Sequence, residues 1–414
     1  MRNLIIENLN NPAILEKLYR SDKLAFEQNF NVLYPEFKEQ PIIQYWNERI
    51  NYIEQAAHQN SKKGFWTAIL LAVIAGLIAN ISNLPGVNAD IFFSKNLSFI
   101  IIPFLAAFFM LKQNLGNTKK GVVLSIFVLA SIYINVLPNI NSGSSVSLAY
   151  IHLPLFLWCV LGFAYLGNDV FSAAKRIQFL KYNGDFIVLC VVMFLASMLF
   201  SGITLGLFEL IGLKIGSFYF QYIAIWGLGA IPIIATYLIE SNPKIINKVT
   251  PVIAQIFTPL VFINLTIYLS VLIIKGKYPH QDRNLLLVYN ALLVGVLALI
   301  FFSIAETEKS KHKKYHSIVL FGLSILTIIV NSIALSAICY RLFEYGITPN
   351  RVAVLGGNVI IFINLLLVAY QLIQVLSNKS AITEVEKRIA QYLPVYAVWT
   401  GIIAFILPLV FGFK

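Results

Sequence analysis

The feature that most constrains this chain is a series of long apolar runs, each long enough to cross a lipid bilayer. A hydrocarbon core of about 30 Å takes roughly 20 apolar residues in a helix. Backbone groups in lipid must be hydrogen-bonded within their own segment, so such runs predict helices. We therefore expect an all-α fold, a polytopic transmembrane helical bundle of about 11 spans. The eleven runs are 65–82, 97–111, 121–138, 146–166, 186–213, 218–240, 245–275, 284–306, 317–340, 352–376 and 394–412.

The composition agrees with a chain embedded in a bilayer. Hydrophobic residues make up 58% of the sequence and charged residues only 12%, whereas soluble domains carry about 25% charged residues. A net charge of +12 would suggest nucleic acid in a soluble protein. The basic patches here lack the interleaved aromatic residues of a nucleic-acid surface. The lipid bilayer is therefore an expected partner and nucleic acid is not.

The distribution of basic residues predicts the orientation. With the N-terminus inside, the inner segments carry 23 of the 31 Lys and Arg residues and the outer segments carry eight. Basic residues collect in cytoplasmic loops of membrane proteins. We expect a cytoplasmic N-terminus and an extracytoplasmic C-terminus.

The polar N-terminal stretch predicts a small separate segment. We expect residues 1–64 to form a cytoplasmic segment of two amphipathic helices, followed by a transmembrane helical domain over 65–414. Asn11-Pro12 opens the first helix, and Pro35 and Pro41 are expected to break the chain before the second. Such helices pack on each other, on the membrane surface or on a cytoplasmic protein partner.

Two runs are not simple spans. In 186–213, the segment from Ser201 to Gly206 contains a Gly-xxx-Gly pair, which indicates either close helix packing or a broken helix lining a cavity. The run 245–275 is too long for one untilted crossing. Its prolines predict a kink, or a turn of surface helix before entry.

A short polar turn joins the runs 317–340 and 352–376, and its chemistry can be read residue by residue. Gly346 suits the positive φ that ends a helix. Thr348 can cap the next helix. Pro349 fits its first turn, where a missing N–H costs nothing.

The hairpins 245–306 and 317–376 share a polar pattern that suggests a duplication. A separation of seven residues places each Arg two helical turns from its Asn on one face. Two interpretations stay open. Amides in spans commonly join helices by hydrogen bonds of about 1 kcal/mol or less, or these four amides line one polar path between the hairpins. The pattern is Asn264, Arg283 and Asn290 in the first hairpin, and Asn331, Arg351 and Asn358 in the second.

Charged residues lie at the rims of the spans. On the outer side, Arg283, Arg341 and Arg351 belong to a charged collar that can form a basic mouth for anionic headgroups or phosphates, with Arg283 and Arg351 as the forked donors. The alternative is that these residues snorkel and form weak surface ion pairs. Together with the four asparagines they are the candidate substrate-binding residues. On the inner side, Glu240 and Glu306 end their helices, where an ionised carboxylate needs a cationic partner. Lys244 and Lys248 can serve, and a proton-coupling role is the alternative.

No motif of a known enzyme class is present. The sequence contains no HExxH, no GxSxG and no phosphate-binding glycine loop. His312 and His316 are four residues apart, but the lysines around them disfavour a metal. We therefore expect no catalytic residues, no metal and no cofactor.

Several segments resemble a bacterial family of multi-pass membrane proteins called domain of unknown function 4153. They are EYGITPNR (344–351), the region 251–306, NPAILEKLYRSDKLAFEQNF (11–30) and YWNERI (45–50). The resemblance implies a polytopic protein of the bacterial cytoplasmic (inner) membrane. It implies no established activity.

Three hypotheses follow for function. The first is a carrier or flippase-like protein that handles an anionic or amphipathic envelope component, such as an anionic lipid. The second is a non-transporting membrane scaffold or sensor, whose helices within 12–59 bind a cytoplasmic partner. The third, with least support, is a membrane-embedded transferase.

Overall fold

The computed structural model describes residues 2–9, 11–139, 143–210, 213–241, 258–263, 265–267, 269–270, 274, 283–307 and 313–413. All regular secondary structure in these ranges is helical, which confirms the all-α prediction. The chain divides into two compact units, Met1–Thr67 and Ala68–Lys414.

The first unit packs short helices around an aromatic core. Its helices are α1 (Arg2–Glu7), α2 (Pro12–Ser21), α3 (Lys23–Phe37) and the first part of α4 (Pro41–Ala79). The Asn11 side chain caps α2 by accepting from the Ile14 N–H at 3.3 Å. The expectation that Pro35 breaks the chain is wrong, because Pro35 lies inside α3, two residues before its end. The core residues are Ile5, Leu9, Leu15, Tyr19, Phe26, Phe30, Leu33, Ile43, Trp46 and Ile50.

The second unit is a bundle of long apolar helices. In the described ranges nine helices are long and apolar enough to cross a membrane, and they coincide with nine of the predicted runs. The run 284–306 is also helical, and it lies within α10, which is uncharged from Asn284 to Ala305. Most of 245–275 lies outside the described residues. After α4 the helices are α5 (Ala89–Lys112), α6 (Asn117–Val136), α7 (Ser144–Leu166), α8 (Ala173–Leu210), α9 (Gly216–Ser241), α10 (Arg283–Thr307), α11 (Lys313–Tyr345), α12 (Pro349–Leu376) and α13 (Ile382–Val410).

Helix α8 differs from both interpretations of its glycine pair. The helix runs unbroken from Ala173 to Leu210, so the broken-helix interpretation is wrong. Among the described residues, no heavy atom lies within 4 Å of the position that a Gly202 Cβ would occupy, so no described helix packs closely there. The Ser201 and Thr204 hydroxyls donate to carbonyls four residues earlier in the same helix. Because the helix is continuous, its main-chain hydrogen bonds run through the Ser201–Gly206 segment.

The turn between α11 and α12 has the predicted geometry. Gly346 has φ of +76°. The Thr348 hydroxyl accepts from the Arg351 N–H at 3.4 Å, and Pro349 is the first residue of α12. The three local predictions for this turn are confirmed.

Two of the spans contain a turn wider than an α-helix. Tyr219–Ala224 in α9 and Ile402–Ile406 in α13 are π-helical. The Tyr133 hydroxyl on α6 donates to the Ala404 carbonyl at 2.8 Å. This contact links α6 to the wide turn of α13.

The buried side chains of the second unit form two large clusters. The first cluster is built mainly on α4–α9 and contains the aromatic residues Phe109, Phe127, Tyr150, Phe179 and Tyr182. The second cluster is built on α10–α13 with contributions from α8 and residues 265 and 269, and it consists almost entirely of Leu, Ile, Val and Ala. Gly184 on α8 lies directly beneath the Phe302 ring of α10, so this glycine brings α8 and α10 close together.

Candidate functional site

Buried polar side chains are concentrated in the second cluster. Four fully buried polar residues lie on helices of the first cluster, namely Ser82, Ser145, Asp185 and Thr236. The helices of the second cluster and residue 258 carry many more in the described ranges. They are Thr258, Ser303, His316, Ser317, Ser324, Thr327, Asn331, Asn358, Asn364, Gln371 and Glu386.

Three of the four predicted amides lie together. The Asn358 Nδ2 atom on α12 donates to Asn290 Oδ1 on α10 at 3.0 Å. The Asn331 Nδ2 atom on α11 donates to the Asn358 main-chain carbonyl at 3.1 Å. Residues Asn290, Asn358 and Asn331 therefore form a hydrogen-bonded amide chain across three helices. The fourth predicted amide, Asn264, lies outside the described residues.

A second polar pair lies on another face of α12. Asn364 is 1% exposed, and its side chain lies beside the Tyr396 hydroxyl of α13. Asn364 Nδ2 and Tyr396 Oη are both buried, and the polar neighbour of each is the other side chain. Asn331 Oδ1, in the amide chain, is buried and has no hydrogen-bond partner among the described residues.

Asn331 and Asn364 lie within two residues of the centres of their helices. Tyr396 lies near the start of the apolar run 394–412. The residues predicted from the sequence do not include Asn364, which lies six residues from Asn358 and on a different face of α12. The signal that could have found it is an amide at the centre of an apolar run.

The candidate arginines are not part of the amide chain. The Arg351 Nη1 atom donates to the carbonyls of Tyr345 (2.7 Å) and Gly346 (2.5 Å), and its guanidinium lies 5.6 Å from the Tyr345 ring centroid. Arg351 thus closes the α11–α12 turn, and its Nε and Nη2 atoms make no hydrogen bond to the described residues. Arg341 is half-buried near the end of α11. Arg283 begins α10, and its side chain is not among those described.

Ion pairs lie at the ends of the spans that were predicted to face inside. Glu240 at the end of α9 pairs with Lys112 at the end of α5. The expected partners Lys244 and Lys248 lie outside the described residues. A pair missed from the sequence joins Lys181 on α8 to Glu386 on α13, with Nζ and Oε1 3.8 Å apart. In the described part of the chain no three His, Cys, Asp or Glu side chains are grouped to hold a metal.

The first unit carries a groove of its own, with a volume of about 480 Å³. Glu16 pairs there with Arg20 (2.7 Å) and Arg49 (3.1 Å). The Arg49 guanidinium lies 4.9 Å from the Trp46 ring centroid. The hydrogen bond from Arg20 is the main cause that holds the pKa of Glu16 below its ordinary value, so Glu16 stays ionised at neutral pH. The lining residues are Pro12, Ala13, Glu16, Arg20, Ile42, Tyr45, Trp46 and Arg49.

Comparison with known proteins gives no further assignment. No family model matches the chain, and neither a curated protein nor a solved structure matches it. The resemblance to domain of unknown function 4153 stays a prediction.

Proposed function

We propose that this protein is a carrier or flippase-like protein for an amphipathic or anionic envelope component, and that helices α10–α13 handle the component. The observation that carries the proposal is the set of buried polar side chains on these adjacent helices, with Asn331 and Asn364 near the centres of α11 and α12. Substrate sites of many transporters lie near the bilayer midplane. Polar residues inside membranes are costly, and they commonly mark such pathways.

The simpler interpretation is that the amides only join helices. It accounts for the bonds between Asn290, Asn358 and Asn331. It does not account for Asn331 Oδ1, which is buried and has no hydrogen-bond partner among the described residues. A buried polar group without a partner costs about 1–3 kcal/mol. A ligand group that donates to Asn331 Oδ1 would explain why the cost is tolerated.

An apolar groove beside α10 favours an amphipathic component. It has a volume of about 320 Å³, and its lining is entirely apolar. It includes Leu292, which lies at nearly the same level of α10 as Asn290 but on a different face of the helix. We propose that an acyl chain of the component occupies this groove while its polar part reaches the buried side chains. The lining residues are Val261, Leu265, Leu292, Gly295, Val296 and Leu299.

The finer layout is part of the same proposal. Eleven crossings would place the N-terminus, with residues 1–64, in the cytoplasm of a bacterium and the C-terminus outside the cytoplasmic membrane. The proposed topology rests on the Lys and Arg distribution. Single cysteines introduced at Lys277 and Lys313 test it. A membrane-impermeant thiol reagent should label the Lys277 position from outside and leave the Lys313 position unlabelled, and the opposite pattern would overturn the layout.

Lipid movement in proteoliposomes tests the carrier function. Vesicles contain either a fluorescent anionic lipid, NBD-phosphatidylglycerol, or a fluorescent neutral lipid, NBD-glucosyl-diacylglycerol. Dithionite destroys only outer-leaflet fluorophores, so loss of the inner-leaflet signal reports flipping. Movement of either lipid above the rate in protein-free vesicles supports the proposal.

The same assay can compare the unmodified protein with variants of the outer arginines. Joint exchange of Arg283→Gln and Arg351→Gln should abolish flipping of the anionic lipid at normal expression. Joint Arg→Lys exchange is the matched control, because it keeps both charges. Absence of flipping for both lipids by the unmodified protein would refute the carrier function.

The groove of the first unit favours a second candidate function, a scaffold or sensor that binds a cytoplasmic partner. Two arginines face one glutamate there, so the groove has an excess positive charge for an acidic partner. Arg49→Glu should release a co-purifying partner. Arg2→Glu is the control, because Arg2 pairs with Glu36 outside the groove lining. If no protein reproducibly co-purifies with the full chain, this candidate fails.

A further inference from the structure

The groove of the first unit already holds a carboxylate, and that carboxylate belongs to the chain itself. Arg49 on α4 binds Glu16 on α2 in a forked arrangement, with Nη2 3.2 Å from Oε1 and Nη1 3.1 Å from Oε2. The Arg20 Nε atom donates to the same Oε1 atom at 2.7 Å. Forked pairs of this kind are how arginine recognises carboxylates in binding partners. Glu16 therefore occupies the position that a partner's carboxylate would take.

The ion pairs of Glu16 are exposed enough to be exchanged. The side chains of Arg20 and Arg49 are 78% and 46% exposed, and that of Glu16 is 25% exposed. Ion pairs at such positions contribute little to stability, because water solvates both charges when they separate. Glu16 can thus leave the arginines at small cost when another carboxylate replaces it.

The walls of the groove define the rest of the partner's chemistry. Pro12, Ala13, Ile42 and Tyr45 supply apolar surface beside the ion pairs, and Tyr45 is 73% exposed. The lining follows α2 from Pro12 to Arg20, which is roughly 12 Å or two helical turns. This length and a volume of about 480 Å³ fit a short segment that carries a few side chains.

The charge of the groove selects an acidic segment. In the described residues its lining belongs to α2 and α4, and it carries Arg20, Arg49 and Glu16, an excess of one positive charge. The adjacent charged residues of the same helices, Lys17 and Glu48, lie outside the lining and have opposite signs, so they leave this excess unchanged. A partner's carboxylate is therefore attracted, and complementary charge also speeds its association.

We propose that the groove binds an acidic segment of a cytoplasmic partner, and that Glu16 competes with the partner's carboxylate for Arg20 and Arg49. The inference rests on the scaffold or sensor function proposed above and names the partner's chemistry, a carboxylate flanked by apolar side chains. In the free protein Glu16 closes the site. In the complex the partner's carboxylate takes the fork of Arg49, and its apolar side chains cover Ile42 and Tyr45.

Fluorescence anisotropy with the full chain in detergent micelles tests the inference. The probe is a short fluorescein-labelled peptide of alternating Leu and Glu, and a second peptide has Gln in place of every Glu. Glu16→Gln removes the competing charge at nearly constant shape. It should tighten binding of the acidic peptide roughly two- to fivefold, the range that one exposed ion pair supports. Glu16→Met, which also lacks the charge, is a second variant that cannot hold the arginines through an amide.

A second exposed ion pair provides the matched control. Arg2 and Glu36 pair at 3.0 Å outside the groove lining, so Glu36→Gln should leave peptide binding unchanged. Arg49→Lys keeps the positive charge but loses the fork, and it should weaken binding of the acidic peptide about fivefold. Thermal unfolding of each variant separates a change in binding from a loss of the fold.

The outcomes separate the inference from the function on which it rests. Tighter binding by both Glu16 variants, with unchanged binding by Glu36→Gln and weaker binding of the Gln peptide, supports the inference. Weaker or unchanged binding by the Glu16 variants overturns it, and so does equal affinity for the two peptides. If the acidic peptide does not bind but Arg49→Glu still releases a co-purifying protein, the inference fails and the scaffold function stands. If neither is observed, both fail.

Discussion

The two clusters of the second unit use different means to hold membrane helices together. In the first cluster several polar side chains pair with one another. Tyr182 and Thr236 share a hydrogen bond of 2.7 Å, and Trp158 donates to Asn183 at 2.8 Å. In the second cluster an amide chain bridges three helices, and Asn331 Oδ1 in that chain is buried without a hydrogen-bond partner among the described residues. Aromatic packing therefore dominates the first cluster, and amide hydrogen bonds join the helices of the second.

Aromatic packing explains how the first cluster holds its helices together without an amide chain. Lipid is as apolar as a leucine side chain, so close packing rather than the hydrophobic effect joins helices in a bilayer. The Phe109 ring contacts Tyr165 and Tyr182, with centroids 4.9 Å and 5.1 Å away and near edge-to-face geometry. Such ring pairs contribute roughly 0.5–1.5 kcal/mol beyond the area they bury.

The largest expected effect is in the first cluster. Phe109 is 1% exposed. Phe109→Ala would remove both ring contacts and leave a cavity, which should lower the free energy of unfolding by about 3–5 kcal/mol. We expect that loss in the free energy of unfolding, measured by SDS titration in mixed micelles. In the fraction that stays folded, lipid flipping should persist. A flipping defect as large as that of a second-cluster variant would contradict the division of roles between the clusters.

A smaller effect is expected where the two clusters meet. Gly184→Ala places a methyl group against the Phe302 ring, and such overpacking costs about 1–3 kcal/mol. Gly202→Ala on the same helix is the control, because its methyl group meets nothing within 4 Å. That exchange should be neutral or slightly stabilising, since alanine favours a helix more than glycine does. If SDS titration gives the same change in unfolding free energy for Gly184→Ala and Gly202→Ala, the contact between Gly184 and Phe302 is unimportant for stability.

The amide chain should contribute less to stability than to function. Asn358→Leu leaves Asn290 Oδ1 without its donor. Interhelical hydrogen bonds in membranes average about 0.6 kcal/mol, so we expect a loss of roughly 1 kcal/mol. If the amide chain lines the transport path, the rate of lipid flipping should fall far more than a stability loss of this size explains. If the Asn358→Leu variant flips lipid at the normal rate, the amide chain only joins the helices and does not line a path.

The smallest effect is expected at the hydroxyls of α11. The Ser324 hydroxyl donates to the Leu320 carbonyl of its own helix at 2.8 Å, and that carbonyl is already part of the helical backbone. Ser324→Ala should change stability by less than about 0.5 kcal/mol and leave flipping unchanged. A strong flipping defect would extend the functional site along α11 toward its start.

Local chemistry made some parts of this fold predictable. The α11–α12 turn follows from single residues, because Gly346, Thr348 and Pro349 each have one strong conformational preference. The meeting of Asn290 with Asn358 was anticipated from matching positions in two hairpins. Long apolar runs identified the spans because a bilayer imposes the same length on each.

Other parts depend on neighbours that the sequence does not show. Glu240 needed a cation, but Lys112 lies 128 residues away and only packing of α5 beside α9 brings it there. The sequence pattern does not single out Asn364, because it does not share a face of its helix with Asn358. A helix inside a bundle has neighbours on several faces, and Asn364 lies against α13 instead. Helices α8 and α13 begin 13 and 12 residues before their apolar runs, because charged residues do not end a helix.

The wide turn at Ile402–Ile406 separates two parts of α13 in orientation. A π-helical turn holds an extra residue, and one residue corresponds to about 100° of rotation around a helix. Side chains after the turn are therefore out of phase with Tyr396 and those before it. Converting this turn to a regular α-helix would rotate the side chains that follow it by about 100° relative to Tyr396.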